Sequence, residues 1–563
     1  MTSDTDAYDE KALALLDAYH TGSPDALERH YRLTWHRREW QAMRRYAQLD
    51  LGKRPTHAGG DVDITLDDAR YLIAIEHGFE SWAALRVFTA TLPPDVSMAA
   101  APVRILSSID DDATTQFSSR DWNAVLHALR EHPGAVLDAH GQMTDTLLAQ
   151  LADIPTIAAL RLGGSHGVTD AGIRHLARLP QLAHLDLSQT AITDSGLSVL
   201  RRLPMLETLS LVMTPVTDTG MQHLADCHAL RRLNLMWTGT GDGALAALAG
   251  KASLTHFWSG NHVTDAGLAM LHAVPVFARW QGDDEALALM SYSSGPNLLA
   301  LRGTFTDDGM RDLRGLHGLF GLNLDDGALR LTARGMEPLI ALPRLGRLAV
   351  DAKDDWMPYI AAMPALRFLG VQDTTAGDDG FEALSRSQSI EQIWGRRCHN
   401  LQTRGFTALG RMPRLRGLSV SCLNVGDDGI ATLPEFPSLR ELMPMDVPDA
   451  GYRHIGRCTA LESLQLMYCR DTTDAATEQI IGLSKLRRYF NSYTTITDRT
   501  PALLSTMDSL EEITFDACHN LTDAGIATLA RLPQLKTLRV AGNGLTAQSA
   551  LGFPPRVTVH YST

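Results

Sequence analysis

The chain has few cysteines and none of the spacings that usually bind zinc or form a redox pair. Its 563 residues include six cysteines, and no two of them form a Cys-x-x-Cys motif. The Cys-His pairs that begin at Cys398 and Cys518 resemble metal ligands, but they stand 120 residues apart. Pairs this distant are not expected to share one ion, so the sequence predicts reduced, mostly buried cysteines and no bound metal.

Long apolar runs are also missing. No stretch approaches the roughly 20 residues of a membrane-spanning helix. The first ten residues, Met1–Glu10, are acidic and lack the hydrophobic region of a cleaved signal. We therefore expect no membrane partner and a cytoplasmic location, while export by a route without a cleaved signal stays open.

Positive charge is in deficit. Lys and Arg number 51 against 65 Asp and Glu, which gives a formal net charge of −14. Nucleic-acid binding usually needs a basic surface, so we expect no nucleic-acid partner. Acidic pairs such as Asp307-Asp308 could suggest calcium, but the nine-residue Gly- and Asp-rich calcium repeat is absent, which favours solvated helix caps.

Catalytic signatures are absent as well. The sequence contains no G-x-S-x-G, no H-E-x-x-H and no P-loop. The glycine-rich segment 163–167 lies in a repeat loop and not between a strand and a long helix. An enzyme built on the N-terminal helices is the least favoured interpretation, so the sequence predicts a non-enzymatic protein without a cofactor.

One short motif, by contrast, is abundant. Val168-Thr-Asp-Ala-Gly172 recurs at 263–267 and, with small changes, at 192–196, 216–220 and 521–525. The aspartates at 170, 194, 218 and 265 are 24, 24 and 47 residues apart. A fixed period this short is typical of stacked units, each too small to fold alone.

A single unit, residues 168–188, has a strand half and a helix half. Its L-x-x-L-x-L leucines alternate as in a strand with one buried face: Leu182, Leu185 and Leu187. Three apolar residues share one side of a short helix or 3₁₀ turn: Ile173, Leu176 and Leu179. Thr169 or Asp170 is predicted to cap this helix, and Pro180 to end it.

The buried strand position recurs along the chain, mostly at steps of 21 to 26 residues. The predicted positions are Leu160, Leu185, Leu209, Leu233, Phe257, Trp280, Leu301, Leu322, Leu348, Leu369, Ile393, Leu418, Leu442, Leu464, Tyr489, Ile513 and Leu538. They predict about 17 repeats over residues 141–563, with an incomplete further strand near His560. The expected fold is α/β: a solenoid with a parallel sheet on its concave face.

Five residues after the strand position, compact polar side chains recur: Thr190, Thr214, Thr238, Thr374, Cys398, Cys469, Thr494, Cys518 and Asn543. We call these residues the polar ladder. Each is expected to donate a hydrogen bond to a buried loop carbonyl of the neighbouring unit.

The segments that begin at Cys398, Cys469 and Cys518 resemble cysteine-containing leucine-rich repeats. This class is best known from F-box adaptor proteins, and bacteria carry a related form with Thr in place of Cys. The resemblance covers about residues 140–560 and implies a leucine-rich repeat horseshoe. It implies little about function, because such repeats present unrelated partners.

Residues 1–92 lack the repeat and are predicted to form a small helical module. The expected helices include Lys11–Tyr19, one opened by Ser23-Pro24, Thr34–Gln48, Thr65–Glu76 and Ser81–Thr91. Residues 67–85 are similar to a helical segment found ahead of ankyrin-type repeats in bacterial proteins. Residues 93–140 are predicted to be a linker followed by a helix, Ser119–Leu129, that covers the first repeat.

The stretch Arg29–Arg54 is locally basic, with aromatic residues interleaved. A solvated helix face is the favoured interpretation. Docking onto acidic parts of the same chain and binding of nucleic acid or phosphate remain alternatives.

In each L-x-x-L-x-L strand the residue between the close leucines points away from the core. Large aromatic, Met and Arg side chains at or beside this position are typical of protein interfaces. The candidate contacts are His256, Trp258, Arg302, Trp394, Arg396, Met443, Met445 and Phe490. The alternative is that some of them only pack locally against the sheet.

The repeat pattern breaks at 277–296 and at 442–449, either to aim a loop at a ligand or through tolerated drift. The favoured function is a monomeric, non-enzymatic scaffold that binds protein partners through the concave sheet face. The alternative is an effector or substrate adaptor for a ubiquitin-ligase-like machinery, with residues 1–92 as the recruiting arm.

Overall fold

The computed structural model describes residues 4–33, 51, 62–76, 81–83, 85–86, 103–109, 115–119, 121–280, 297–324, 330–372, 374–467, 472–492, 494–516, 518, 520–541, 545–546, 548 and 551–562. The chain divides into two compact units, Met1–His262 and Val263–Thr563. Each unit is described by itself.

The described helices at the start of the first unit are α1 (Asp4–Thr21), α2 (Pro24–Leu33) and α3 (Leu66–Glu76). Their apolar sides form one core that includes Leu15, Tyr19 and Leu72. The Ser23 hydroxyl accepts a hydrogen bond from the backbone of Ala26, which confirms the predicted start of α2. The first helix extends beyond the predicted Lys11–Tyr19 at both ends.

Several predicted features lie outside the described residues. These are the helix Thr34–Gln48, most of the basic stretch Arg29–Arg54, the linker prolines at 93–94, and the polar-ladder residues Cys469 and Asn543. Of the helix Ser81–Thr91, the structure describes only residues 81–83 and 85–86.

Ahead of the repeats lies a strand pair that the sequence pattern did not predict. Strand β1 (Val103–Leu106) pairs antiparallel with both β2 (Thr115–Ser119) and β3 (Val136–Asp138). Helix α4 (Trp122–Glu131) follows, capped by the Asp121 side chain, so the predicted helix Ser119–Leu129 begins three residues too early. The segment that precedes the repeats is therefore a hairpin plus a helix.

The remaining strands of the first unit are parallel and run in sequence order. They are β4 (Ala159–Arg161), β5 (His184–Asp186), β6 (Thr208–Ser210), β7 (Arg232–Asn234) and β8 (His256–Trp258), and β3 pairs with β4. The connections contain the α-helices Asp145–Leu151, Asp170–Ile173, Asp218–Met221 and Asp242–Ala247, and the 3₁₀ helices Arg174–Arg178, Gly196–Arg202 and Gln222–Leu224.

The second unit repeats this arrangement with parallel strands in sequence order. They are β9 (Leu298–Ala300), β10 (Gly321–Leu324), β11 (Arg347–Val350), β12 (Phe368–Gly370), β13 (Gln392–Gly395), β14 (Gly417–Ser421), β15 (Glu441–Met445), β16 (Ser463–Met467), β17 (Arg488–Ser492), β18 (Glu512–Asp516), β19 (Thr537–Ala541) and β20 (Thr558–Ser562). The last strand confirms the predicted strand near His560.

Short helices alternate with these strands. The α-helices are Asp265–Met270, Pro275–Ala278, Asp307–Met310, Met357–Ala361, Asp378–Leu384, Thr403–Leu409, Gly426–Ile430, Tyr452–Ile455, Asp474–Ile480, Arg499–Leu504 and Asp523–Ala527. The 3₁₀ helices are Leu271–Ala273, Arg311–Leu313, Ala333–Ala341, Asp354–Trp356, Leu433–Glu435, Asp449–Gly451 and Thr528–Arg531.

The core of each unit is a row of apolar residues in strand register. In the first unit the row contains Leu137, Leu160, Leu185, Leu209, Leu233 and Phe257, all at most 1% exposed. On the helix side, Ile173, Leu176 and Leu179 are fully buried as predicted. Each such side chain contributes about 1.5–3 kcal/mol through burial, so neighbouring repeats stabilise one another.

Two predicted strand positions are wrong. Trp280 follows the helix Pro275–Ala278 and lies in no strand, and the guanidinium of Arg344 stands 5.7 Å from its ring centroid. Leu322 pairs in register with Leu299, not with Leu301. The proline and helix signals fail around 277–296, so the sequence offers no local marker to fix the register there.

The Thr-Asp pair that recurs along the chain links consecutive repeats. Thr169 caps its own helix by accepting a hydrogen bond from Ala171, as predicted. The Asp170 carboxylate instead accepts bonds from the backbone nitrogen and hydroxyl of Thr193 in the next repeat, at 2.9 and 2.5 Å. We call this contact the carboxylate clamp. The prediction that the acidic residues are merely solvated caps is therefore incomplete.

The clamp recurs in both units. The Asp–Thr pairs are Asp145–Thr169, Asp170–Thr193 and Asp194–Thr217 in the first unit, and Asp265–Thr306, Asp307–Thr332, Asp449–Thr473, Asp474–Thr497, Asp498–Thr522 and Asp523–Thr546 in the second. Where threonine is replaced, the backbone nitrogen remains the donor, as from Gly241 to Asp218 at 2.8 Å.

The clamp also explains the glycine of the motif. A Cβ atom at Gly335 would lie 2.7 Å from the Asp307 carboxylate oxygen of the preceding repeat, and one at Gly380 would lie 2.5 Å from that of Asp354. Both distances are shorter than a normal contact to carbon. The glycine is needed because the preceding carboxylate occupies the space of a side chain.

The described members of the polar ladder are buried, but their hydrogen bonds differ from the prediction. The hydroxyls of Thr190, Thr214 and Thr238 donate to the carbonyl three residues earlier in their own repeat, at 2.6–2.7 Å. Only some members donate to a carbonyl of the neighbouring repeat, such as Thr374, whose hydroxyl donates to Ala352 at 2.5 Å. These residues therefore satisfy the end of their own strand first.

Candidate binding surface

The outward face of the sheet consists of the strand side chains that alternate with the buried row. In the first unit it presents a compact aromatic and cationic group on β7 and β8. The rings of His256 and Trp258 are stacked at 5.8 Å with an interplanar angle of 22°, and the guanidinium of Arg232 stands 5.9 Å from the Trp258 centroid. Such contacts hold the indole in one orientation while leaving it partly exposed.

Trp394 is the corresponding aromatic residue of the second unit. Its register neighbours are Gly370 on β12 and Ser419 on β14, both small. The indole is partly exposed, and within the part of the chain that the structure describes it forms no hydrogen bond or ring contact. Small neighbours on both sides leave room for another molecule against the ring.

The other candidate contacts differ in accessibility. Arg396 and Phe490 are partly exposed, whereas Met443 and Met445 are only 9% and 5% exposed. The two methionines belong to β15, where Pro444 has no N–H to donate and regular pairing with β16 ends at Leu442. They form the floor of the surface more than its contact points.

Arg302 stands apart from the predicted column. Ala300 occupies the register position opposite Asn323, so Arg302 lies two residues beyond β9. The shift follows from the misplaced Leu301. Arg302 is partly exposed in the loop that follows the strand.

Some side chains of the outward face already form hydrogen bonds with one another. The Glu441 carboxylate accepts a bond from Arg488 at 2.9 Å and a longer one from Gln392 at 3.5 Å. These long side chains span the intervening strands, whose residues in the same row, Gly417 and Ser463, are small. We conclude that this row supports the sheet and contributes less to binding.

Sequence reasoning did not single out a cavity over β17–β20. Its volume is about 310 Å³, and Phe490, Thr514, Asp516, Arg539 and His560 contribute to its lining. Thr514 and Arg539 directly follow buried strand residues, so the sequence predicts that their side chains point to the outward face. The proximity of Arg539 to Asp516 depends on the register between β18 and β19, which the sequence does not give.

The cysteines that the structure describes show no sign of reactivity. The five that the structure describes, Cys227, Cys398, Cys422, Cys458 and Cys518, are free thiols and buried. Burial raises the pKa of Cys398 and of Cys458 to about 12. A thiol held protonated is a poor nucleophile and a poor metal ligand.

The described residues contain no group of three or more His, Cys, Asp or Glu placed to hold a metal ion. In the same portion of the chain, no helix is both long and apolar enough to cross a membrane.

Comparison with known proteins gives a match at the level of the repeat. The leucine-rich repeat family matches residues 180–200. None of the curated proteins matches the sequence.

Two solved structures are similar at low identity. An internalin from Listeria monocytogenes shares 15% identity over 81% of this chain and 90% of its own, with a TM-score of 0.26. TLR13 in its complex with ssRNA13 shares 16% identity over 70% of this chain and 68% of its own, with a TM-score of 0.37.

The assignment rests on features of the chain itself. Parallel strands in register, a buried leucine row, one short helical segment in most connections and the family match at 180–200 occur together. The chain has an α/β leucine-rich repeat solenoid fold, and its residues 180–200 match the leucine-rich repeat family.

Proposed function

We propose that this leucine-rich repeat protein is a non-enzymatic scaffold that binds protein partners through the outward, concave face of its strands. The observation that carries the proposal is the position of Trp258 and Trp394. Each is partly exposed on that face, one in each unit, while the buried row is complete without them. Exposed tryptophan with no role in the core is typical of binding hot spots.

The geometry around each tryptophan favours binding. His256 and Arg232 hold Trp258 in place, so little side-chain freedom remains to be lost on association. Arg396 follows Trp394 by two residues and supplies a cation beside an apolar surface. Arg302, Phe490 and the methionines 443 and 445 extend the proposed surface.

The test is affinity capture with the full chain as bait, followed by quantitative mass spectrometry. We expect the Trp258→Ala, Trp394→Ala double variant to lose about ten-fold or more of each specific partner, because truncating a hot-spot residue costs about 2 kcal/mol or more. The control is Met205→Ala, which truncates an apolar residue that is 52% exposed outside the strands.

Circular dichroism must show that all variants are folded. Equal recovery of partners by the double variant and by the control would contradict the proposed surface. A ligase component that the double variant still retains would bind elsewhere on the chain, and would favour the adaptor function.

A further inference from the structure

The cavity over β17–β20 combines a cation, an aromatic wall and a carboxylate that has no partner among the described residues. Phe490, Thr514, Arg539 and His560 stand side by side in strand register on four successive strands. Asp516 lies two residues beyond Thr514 on β18 and lines the same cavity. The group is thus held by four hydrogen-bonded strands and not by loops.

Asp516 is partly buried, and its carboxylate has no hydrogen-bond or ion-pair partner among the described residues. Burial raises the pKa of Asp516. A shielded carboxylate without a partner destabilises a fold. Its retention is explained if a cationic group of a ligand pairs with it.

Arg539 supplies the opposite charge. Its side chain is exposed and, in the described parts of the chain, forms no ion pair. Arg539 and Asp516 occupy diagonal positions on neighbouring parallel strands, so their Cα atoms are about 8 Å apart, given a strand spacing of about 4.8 Å and an offset of two residues. That separation allows each to contact one end of a small molecule that carries both charges.

Phe490 provides the apolar part of the site. Its ring is partly exposed on β17, next to Thr514, and leaves an aromatic surface facing the cavity. A volume of about 310 Å³ is at the small end of the range for ligand sites, about 300–1,000 Å³. The ligand must therefore be small, dipolar and partly apolar.

We propose that this cavity binds a free amino acid with an apolar side chain. The ligand ammonium group pairs with Asp516, the ligand carboxylate pairs with Arg539, and the ligand side chain packs against Phe490. This site goes beyond the protein-binding function. It shares Phe490 with the proposed protein-binding surface, but Trp258 and Trp394, which carry that proposal, lie outside the cavity.

Isothermal titration calorimetry with the full chain tests the proposal, using L-phenylalanine as the probe. Two analogues separate the charges: N-acetyl-L-phenylalanine lacks the ammonium group, and L-phenylalanine amide lacks the carboxylate. We expect each analogue to bind about ten-fold more weakly or worse, because each leaves one charged group of the site unpaired.

Variants separate the two protein groups. Arg539→Gln is expected to weaken phenylalanine binding about ten-fold or more while leaving the affinity for the amide almost unchanged, since the amide has no carboxylate to lose. Asp516→Asn is expected to weaken phenylalanine binding similarly but to leave N-acetylphenylalanine almost unchanged. The matched controls are Arg531→Gln and Asp508→Asn, at exposed positions of neighbouring segments outside the cavity.

Stability measurements distinguish a ligand site from a structural role. Asp516→Asn is expected to raise the thermal midpoint, because it removes a partly buried charge that no described residue pairs with. Loss of binding then coincides with a more stable protein. The proposal is overturned if phenylalanine shows no binding up to about 10 mM, if Arg539→Gln binds it normally, or if Asp516→Asn lowers the midpoint.

Discussion

Asp170 shows at the scale of one residue why the Thr-Asp-x-Gly motif recurs. Its carboxylate lies between repeats, bonded to Thr193 and packed where the side chain of residue 196 would otherwise stand. The aspartate therefore depends on two residues of the following repeat, the threonine that donates to it and the glycine that leaves room for it. Hydrogen bonds to charged groups contribute about 1.5–3 kcal/mol, more than an exposed ion pair does.

A double-mutant cycle on Asp170 and Gly196 tests this dependence. Gly196→Ala alone is expected to lower the free energy of unfolding by about 1–3 kcal/mol, because the new methyl group meets the Asp170 carboxylate. Asp170→Ala alone is expected to cost a similar amount through the lost bonds to Thr193. Chemical denaturation of both single variants and the double variant measures the coupling.

The double variant should be more stable than the sum of the single effects predicts, by about 1 kcal/mol or more. After removal of the carboxylate, the nearest remaining contact to a Cβ at Gly196 is Ile192 at 3.1 Å, which a small shift can relieve. Strict additivity would show that the glycine serves another purpose. Gly250→Ala is no substitute as a control, because Gly250 has a positive φ of 75°.

At the scale of elements, the edge of the first repeat is closed by β1 and β2. An uncovered edge strand exposes unpaired backbone groups, and an antiparallel strand satisfies them. One side-chain contact adds to this pairing: Arg104 on β1 donates to the Asp138 carboxylate on β3 at 2.9 Å. His140 lies 3.2 Å from the same carboxylate.

The pH dependence of stability tests the contribution of Asp138. Burial alone would raise the pKa of Asp138, but the contacts with His140 and Arg104 lower it from the usual 3.8 to about 2. A lowered carboxyl pKa contributes stability above 3.8 that is lost as pH falls from 3.8 towards 2. We therefore expect wild type to exceed Asp138→Asn by about 1–2 kcal/mol near neutral pH.

Urea unfolding followed at a series of pH values measures this difference, which should close between 3.8 and about 2. Asp226→Asn serves as the control, since the Asp226 side chain is 58% exposed. A gap that persists unchanged at the lowest pH would show that the ionised carboxyl of Asp138 is not what stabilises the hairpin.

At the scale of the whole molecule, stability comes from repeats that bury their leucines against neighbours. Buried cysteines in both units can report on this packing. Cys227 belongs to the first unit, and Cys398, Cys422, Cys458 and Cys518 belong to the second. All five are buried and therefore closed to reagents until a repeat opens.

Thiol labelling of the folded protein measures that opening. In a Cys469→Ser variant, which removes the cysteine outside the described residues, we expect no fast-reacting thiol, because the other five are buried. Labelling with a chromogenic disulfide should follow local unfolding and become fast for five thiols in denaturant. One or more fast thiols in the folded variant would contradict the packing of the repeats.

The sequence by itself determined the repeat, its strand and helix halves, and the buried row, because each follows from spacing along the chain. Leu185 alternates with its strand neighbours, and Thr169 precedes its helix, whatever the rest of the molecule does. The same local rules misplaced Leu301 and Trp280, where the periodic signal fails. These rules also could not predict the hairpin of β1 and β2, because its strands lie outside the repeat and carry no periodic signal.

Only the tertiary structure decided which residues meet across repeats. The sequence predicts Asp170 as a helix cap. Its hydrogen bond to Thr193, and the clash of its carboxylate with any side chain at residue 196, depend on how two repeats stack. Asp516 and Arg539 share a cavity for the same reason, since strand register brings them together. Periodicity fixes the direction of a side chain relative to its own backbone, whereas stacking fixes its neighbours.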